Sequence, residues 1–244
     1  MNNMLEYLSA LESNNNREWY HANKDQFQKA NAVFEQLVEK LVISIGQFDA
    51  AIIHHIPKEL TFRLARDTRF SNDKPPYNPT FRACIAPAGK LPIPVGYYIA
   101  IAPDNRSFLG GGLHEAVFKD ATIKIRDYIV GHGSKFESII NNKDFLAHFS
   151  VKGEALKNVP RGYDETHPQA EYLKLKTWYI QFPLLDNSIL SEDFVEEAVR
   201  IFHVMKPFND YLNTALKGVQ MPNRAGGKVC PCRHPAPQDV RSVS

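Results

Sequence analysis

Apolar residues recur at helical spacing near both ends of the chain. A short stripe predicts a first helix that ends in the polar run at 13–16, and a longer stripe predicts a second helix that ends at Gly46. A third stripe predicts a long helix that begins near Ser191 and is kinked at Pro207. The three stripes are Met4, Leu5, Leu8 and Leu11; Phe27, Ala30, Phe34, Leu37, Leu41 and Ile45; and Phe194, Ala198, Ile201, Met205, Phe208, Leu212 and Ala215.

The middle of the chain changes from helical spacing to alternation, which is typical of half-buried strands. Helical spacing returns for a time after Gly112. The sequence therefore predicts an α+β fold, in which a mainly antiparallel sheet of about five strands is packed by helices from the N- and C-terminal parts. The predicted strands lie at 60–66, 81–85, 95–101, 107–109 and 172–182.

Length and composition predict one main domain. The chain has 244 residues, of which 43% are hydrophobic, and this is enough apolar surface for a single core. From Pro222 onward the residues are mostly Pro, Gly, Arg and small polar types. We therefore expect a single domain at 1–221 and a disordered tail at 222–244.

The charge balance bears on the class of partner. Lys and Arg number 29 and Asp and Glu number 27, so the formal net charge is only +2. This disfavours a protein that coats nucleic acid, although a local basic patch would still permit such binding. Three cysteines do not make a disulfide framework, and neither a secretory leader nor a membrane span is visible. We expect a cytoplasmic protein without a membrane partner, and the oligomeric state stays open.

The segment from Arg63 to Tyr77 carries the densest chemistry. Its charged residues are the cations Arg63, Arg66, Arg69 and Lys74 and the carboxylates Asp67 and Asp73. If 60–66 is a strand, Arg66 lies on the same face as Phe62 and Leu64 and points to the core, where it needs an anionic partner. Arginine is well suited to hold a phosphate or carboxylate group, but an internal Arg/Asp network would equally satisfy it.

Four strings of the sequence resemble one known family. They read RLARDTRFSNDKPPY at 63–77, NNREWYHANK at 15–24, GYYIAIAP with FLGGGL at 96–113, and VPRGYDETHP at 159–168. Taken in their order along the chain, they resemble the family called domain of unknown function 2461, over about residues 5–211. The resemblance implies a single domain that groups these motifs, and it implies no activity, cofactor or catalytic residue.

Two further segments have possible chemistry. Asp164 and His167 could form an acid/base pair or two metal ligands, but a turn stabilised by Asp164 and a cap formed by His167 would use the same residues. Two ligands do not make a metal site, so no metal is predicted. The glycines at 110–112 could bind an anion with backbone N–H groups at a helix start, or could mark a close approach of two backbones.

Three functional interpretations follow from the sequence. The first is an enzyme or binding protein with a pocket for an anionic small molecule. In that pocket Arg63, Arg66, Arg69, Lys74 and Arg161 bind the ligand, and Asp67, Asp73, Tyr77, Asp164 and His167 supply acid/base groups. It expects Arg66, Lys74 and Arg161 to converge on one concave surface, and it identifies no cofactor. The second is a nucleic-acid or protein binding module that uses Arg69, Lys74 and Arg82 with Phe70 and Tyr77. The third is a purely structural Arg/Asp network.

Overall fold

The computed structural model describes residues 1–67, 75–115 and 119–219. Among these residues lie ten α-helices, one short 3₁₀ turn at Ala50–Ile52 and four strands. The helices are α1 (Asn2–Ser13), α2 (Arg17–Ala22), α3 (Lys24–Gly46), α4 (Pro57–Leu60), α5 (Lys119–Gly131), α6 (Gly133–Ile140), α7 (Lys143–His148), α8 (Ala170–Leu173), α9 (Asp186–Leu190) and α10 (Phe194–Ala215). The strands are β1 (Phe81–Ile85), β2 (Tyr97–Ile101), β3 (Ser107–Leu113) and β4 (Trp178–Leu184).

The four strands form one antiparallel sheet in the order β1-β2-β3-β4. The registers pair Ala83 with Ile99 and Ile99 with Leu109, so one continuous row of apolar side chains crosses three strands. Consecutive strands are neighbours, as in a meander, which keeps most connections short. The long crossover falls between β3 and β4 and contains helices α5 to α8.

The helices cover one face of the sheet. Strand residues on that face, among them Phe81, Tyr97, Leu109 and Trp178, belong to the main hydrophobic core. Alternation places Cys84, Tyr98 and Ala100 on the opposite face, where they form a second, smaller buried cluster with Ala86. Phe62 and Phe108 pack against this second cluster.

The predicted α+β class and antiparallel sheet are confirmed, but the number of strands is four and not five. The strand expected at 60–66 does not form. A turn of helix occupies Pro57–Leu60, and only isolated bridges join Thr61 to Ala83 and Ala65 to Tyr77. The carbonyl of Thr61 accepts a hydrogen bond from Lys90 Nζ at 3.0 Å, so it is already bonded to a side chain.

The other predicted elements shift at their ends. The strand expected at 172–182 begins only at Trp178, because residues 170–173 form α8. Pro207 lies inside α10, which is continuous from Phe194 to Ala215. The tail expected at 222–244 lies outside the described residues. No helix in the described ranges is both long and apolar enough to cross a bilayer.

Candidate functional site

The segment from Thr61 to Asp67 runs in extended form beside the outer edge of β1. Phe62 N donates to Arg82 O at 2.9 Å, which ties the segment to the strand next to the Thr61–Ala83 bridge. Two backbone bonds then join it to the returning chain: Arg66 N donates to Pro76 O at 2.8 Å, and Asn78 N donates to Leu64 O at 2.7 Å. These bonds hold the two described ends of the 63–77 segment together at the edge of the sheet.

Tyr77 is the point where this segment meets the N-terminal helices. The Asn15 side chain binds its backbone twice, since Tyr77 N donates to Asn15 Oδ1 and Asn15 Nδ2 donates to Tyr77 O, both at 3.0 Å. The Tyr77 ring stacks on Tyr20 with centroids 4.1 Å apart. Arg66 Nε also donates to Tyr77 O, at 3.1 Å. The strings at 15–24 and 63–77 are therefore in direct contact.

Two guanidinium groups lie near each other at this edge, since the charge of Arg82 acts on Arg66, and the Arg63 backbone carbonyl lies beside Arg82. We call Arg63, Arg66 and Arg82 the arginine cluster. Arg82 Nη2 donates to Arg63 O at 3.4 Å, and the Arg82 guanidinium carbon lies 5.5 Å from the centre of the Phe62 ring. Lys90 adds a fourth cation, with Nζ 5.8 Å from the same ring. Positive charge is thus concentrated around one aromatic side chain.

The positive charge of the arginine cluster is not neutralised within the described residues. No carboxylate of these residues forms an ion pair with Arg63, Arg66 or Arg82. Burial lowers the pKa of Arg66, and the nearby charge of Arg82 lowers it further. Arg82 Nε is buried and lacks a hydrogen-bond partner in the described part of the chain. An oxyanion at this edge would relieve the repulsion and satisfy that donor.

The predicted residues of this region are only partly described. Arg63 and Arg66 are both exposed, so Arg66 does not point into the core as a strand at 60–66 would require. Asp67 is exposed and has interactions of its own. The ligand-binding residues Arg69 and Lys74 and the catalytic residue Asp73 lie outside the described residues. Tyr77, predicted as catalytic, is only 7% exposed.

The loop with Arg161, Asp164 and His167 lies at a different place. Its contacts go to α5 and α6, since Tyr163 Oη donates to Asp127 Oδ1 at 2.8 Å and His167 lies against Gly133. These helices stand beside the chain that enters β4, at the other end of the strand order from β1. No contact found among the described residues joins this loop to Arg66, and Lys74 lies outside those residues.

The polar groups of that loop are used locally. Asp164 Oδ1 accepts from Thr166 N and Thr166 Oγ1, both at 2.8 Å, and these bonds lower the pKa of the Asp164 carboxyl. His167 Nδ1 accepts from Gln169 N at 3.0 Å, directly before α8. This is the turn-and-cap alternative. Nowhere in the described ranges do three His, Cys, Asp or Glu side chains group as in a metal site.

The glycine run at 110–112 does not start a helix, so the anion-binding interpretation of that run is wrong. All three glycines lie within β3 and pair with residues of β4. A Cβ at Gly111 would lie 2.9 Å from Asn209 Oδ1 of α10, and one at Gly112 would lie 2.3 Å from Trp178 O. The glycines permit close packing of helix and strand on β3, which was the other alternative.

His114 follows these glycines and is shielded from water. Both of its ring nitrogens are buried, and the ring stacks on Tyr179 with centroids 4.0 Å apart. Burial lowers the pKa of His114 to about 4, so the imidazole is neutral at neutral pH. Glu115, the next residue, is 8% exposed.

Sequence reasoning gave too little weight to Arg82, which lies in the site region, and overlooked Arg126, which lies outside it. Arg82 was considered only for the binding-module alternative, although the alternation of β1 already places it opposite the main core, beside Cys84. Arg126 was not considered at all, and it is buried in α5. Two surface cavities among the described residues, of about 560 and 490 Å³, are lined by none of the predicted site residues.

Comparison with known proteins gives one match. Residues 3–211 match the model of a family described as conserved hypothetical protein (DUF2461). The match includes the four strings quoted above and stops within α10. No curated protein and no solved structure matches the chain.

Proposed function

The chain belongs to the DUF2461 family, and from this premise we propose that it binds a small molecule carrying a phosphate or carboxylate group at the arginine cluster. The observation that carries the proposal is the absence of any described carboxylate partner for Arg63, Arg66 and Arg82, of which Arg82 lies over the Phe62 ring. Arginine presents planar, fixed donors that match the oxygen pair of such a group.

The electrostatics support a ligand of negative charge. The pKa of Arg66 is lowered by burial and by Arg82, which means that the charged form of Arg66 is disfavoured by its surroundings. A bound anion would reverse this effect, because it attracts both guanidinium groups. The net charge of the whole chain is only +2, so the attraction is local to this edge.

We test this proposal by replacing Arg82 with Met, which keeps an apolar stem over Phe62 and removes the charge. We expect phosphate or pyrophosphate to raise the melting temperature of the original protein saturably at constant ionic strength. Arg82→Met should weaken this apparent affinity by about tenfold or more, as expected for a lost charged hydrogen bond. The matched control is Arg17→Met, at an exposed position of α2.

Two outcomes would argue against the proposal. One is equal stabilisation by phosphate and by chloride at matched ionic strength, which would indicate screening alone. The other is equal loss of the response in Arg82→Met and Arg17→Met, which would indicate an effect of net charge.

An acid/base role for Asp67 and Tyr77 is a further part of the proposal. Both residues lie at the described ends of the 63–77 segment, at the arginine cluster, and Asp67 is exposed. Mass spectrometry of the bound molecule before and after incubation with the protein would show whether it also reacts. Asp164, His167 and Arg161 are not included, because their contacts lie on α5, α6 and the start of α8.

The alternative of a nucleic-acid binding module draws support from Arg82 and Lys90, which lie over the Phe62 ring. It predicts binding of single-stranded nucleic acid that weakens steeply with salt. The structural alternative draws support from the bonds that join Asn15, Tyr77 and Arg66. For the location we propose the cytoplasm, which the low cysteine content supports.

A further inference from the structure

Arg126 is a buried cation away from the arginine cluster. It lies in α5 and is only 7% exposed, and among the described residues it is the only Lys or Arg in the buried class. Long charged side chains normally keep their heads in water, and a buried charge normally has a partner of opposite sign. The contacts of Arg126 therefore bear on its role.

The hydrogen bonds of Arg126 satisfy only part of the guanidinium. Nη2 donates to Leu175 O at 2.8 Å. Nε is buried and has no hydrogen-bond partner in the described ranges, and no described carboxylate forms an ion pair with Arg126. The third nitrogen, Nη1, is neither bonded nor fully buried within these ranges, so solvent still reaches it.

The surroundings of Arg126 contain little compensating charge. Burial lowers its pKa, and the one opposing influence is the neighbouring Tyr163. The Tyr163 hydroxyl is itself committed, because it donates to Asp127 Oδ1 at 2.8 Å. Burial and this bond raise the pKa of Tyr163 to about 12, so the phenol stays neutral at neutral pH. Asp127, although next in sequence, points to the exposed side of α5 and binds Tyr163 instead.

We propose that Arg126 is the anchor of a second binding site, which takes a single carboxylate group. The site lies between α5, the loop around Tyr163 and the chain at Leu175 that leads into β4. A carboxylate that approaches from the solvent side would receive charge-assisted hydrogen bonds from the guanidinium. One buried cation with a neutral phenol beside it balances one negative charge, whereas the neighbouring charges of Arg66 and Arg82 in the arginine cluster suit a more highly charged phosphate.

The site is independent of the function proposed for the arginine cluster. Its residues come from α5 and from the string at 159–168, while the cluster comes from β1 and the string at 63–77. Loss of one site should therefore leave the other intact. A purely structural role is the competing explanation, in which Arg126 serves only to satisfy the carbonyl of Leu175.

The direct test follows the Arg126 Nε–H resonance by NMR in protein with ¹⁵N-labelled arginine, while acetate or phosphate is added at constant ionic strength. We expect this resonance to shift saturably with acetate, and more weakly with phosphate. The same shift should occur in Arg82→Met, which separates the two sites. A resonance that responds to neither ion, or that responds more strongly to phosphate, overturns the proposal.

Two variants complete the test. In the Arg82→Met background, Arg126→Met removes the second charge and should abolish the remaining acetate-dependent rise in melting temperature. Arg126→Lys keeps a donor for Leu175 O and is the variant to use if Arg126→Met does not fold. Because lysine lacks the planar donor pair, we expect it to weaken acetate binding by about tenfold while the fold is retained. If Arg126→Met or Arg126→Lys folds and binds acetate as the original protein does, Arg126 has a purely structural role and the proposed carboxylate site is wrong.

Discussion

At the scale of single residues, burial decides which charges this protein carries. His114 stacks on Tyr179 with both ring nitrogens buried, and its pKa falls to about 4. Arg126 is also buried but keeps its charge, because an ordinary arginine pKa lies so far above neutrality that even a lowered one leaves the side chain protonated. Burial therefore yields a neutral side chain at one position and, at the other, a cation that forms no ion pair with a described carboxylate.

The lowered pKa of His114 predicts a specific loss of stability in acid. Between its unfolded pKa of 6.5 and its folded pKa of about 4, the unfolded chain binds more protons than the folded chain. The free energy of unfolding should therefore fall as the pH drops through this window, by up to about 3 kcal/mol. Denaturant titrations across the window measure this slope.

The variant His114→Gln is the control for this prediction. It cannot take up the proton, so its stability should fall less between pH 6.5 and about 4 than that of the original protein. A ring-proton NMR titration of His114 with a midpoint near 6.5 would contradict the assignment.

At the scale of elements, strand β3 is shaped by its three glycines. Gly112 has φ of +91°, and a Cβ there would lie 2.3 Å from Trp178 O on the neighbouring strand. At Gly110 the nearest atoms to a Cβ are Ile180 O at 3.4 Å and the Phe108 ring at 3.7 Å, which is ordinary contact. The two positions are two residues apart in one strand but differ in the space that surrounds them.

This difference predicts opposite results for the same substitution. Gly112→Ala should destabilise the protein by at least about 3 kcal/mol, because backbone strain and steric overlap add. Gly110→Ala should change the free energy of unfolding by no more than about 1 kcal/mol, and alanine can even favour the strand. Urea titrations of the two variants measure the difference. Equal losses would show that close backbone packing is not the reason why position 112 requires glycine.

At the scale of the whole molecule, side-chain amides join segments that are distant in sequence. Asn213 of α10 binds both Val95 N and Val95 O, at 2.8 and 2.9 Å. Asn15 does the same for Tyr77, 62 residues further along the chain. In each case one amide supplies the donor and the acceptor that a neighbouring strand would otherwise supply.

Removal of the Asn15 side-chain amide should weaken the attachment of Tyr77 to the N-terminal helices. Asn15→Ala leaves Tyr77 N and Tyr77 O without these partners in a half-buried position, so we expect a loss of about 1–3 kcal/mol. The exposed neighbour Asn14 is the matched control, and Asn14→Ala should cost about 0.5 kcal/mol or less. Thermal unfolding compares the two variants. Hydrogen exchange of the Tyr77 amide that is unchanged in Asn15→Ala would contradict the account.

Local pattern predicted much of the fold. Helical spacing gave the positions of α1, α3 and α10, because each of these helices buries an apolar stripe, and alternation gave β1 and β2. Only the first three residues of β3 were predicted as strand. The same alternation failed at 60–66. Bridges form there only at Thr61 and Ala65, and whether an extended segment becomes a strand depends on partners that its own sequence does not contain.

The chain by itself determined the helices and strands that carry a complete apolar face, the α+β class and the family to which the protein belongs, since these follow from local spacing and from contiguous motifs. Tertiary structure alone decided that Arg82 lies over Phe62 and binds the Arg63 carbonyl, that the loop around Tyr163 contacts α5, and that Arg126 is buried with no ion pair to a described carboxylate. The reason is that electrostatic energy depends on distance and burial, and both are set by segments that meet across the fold.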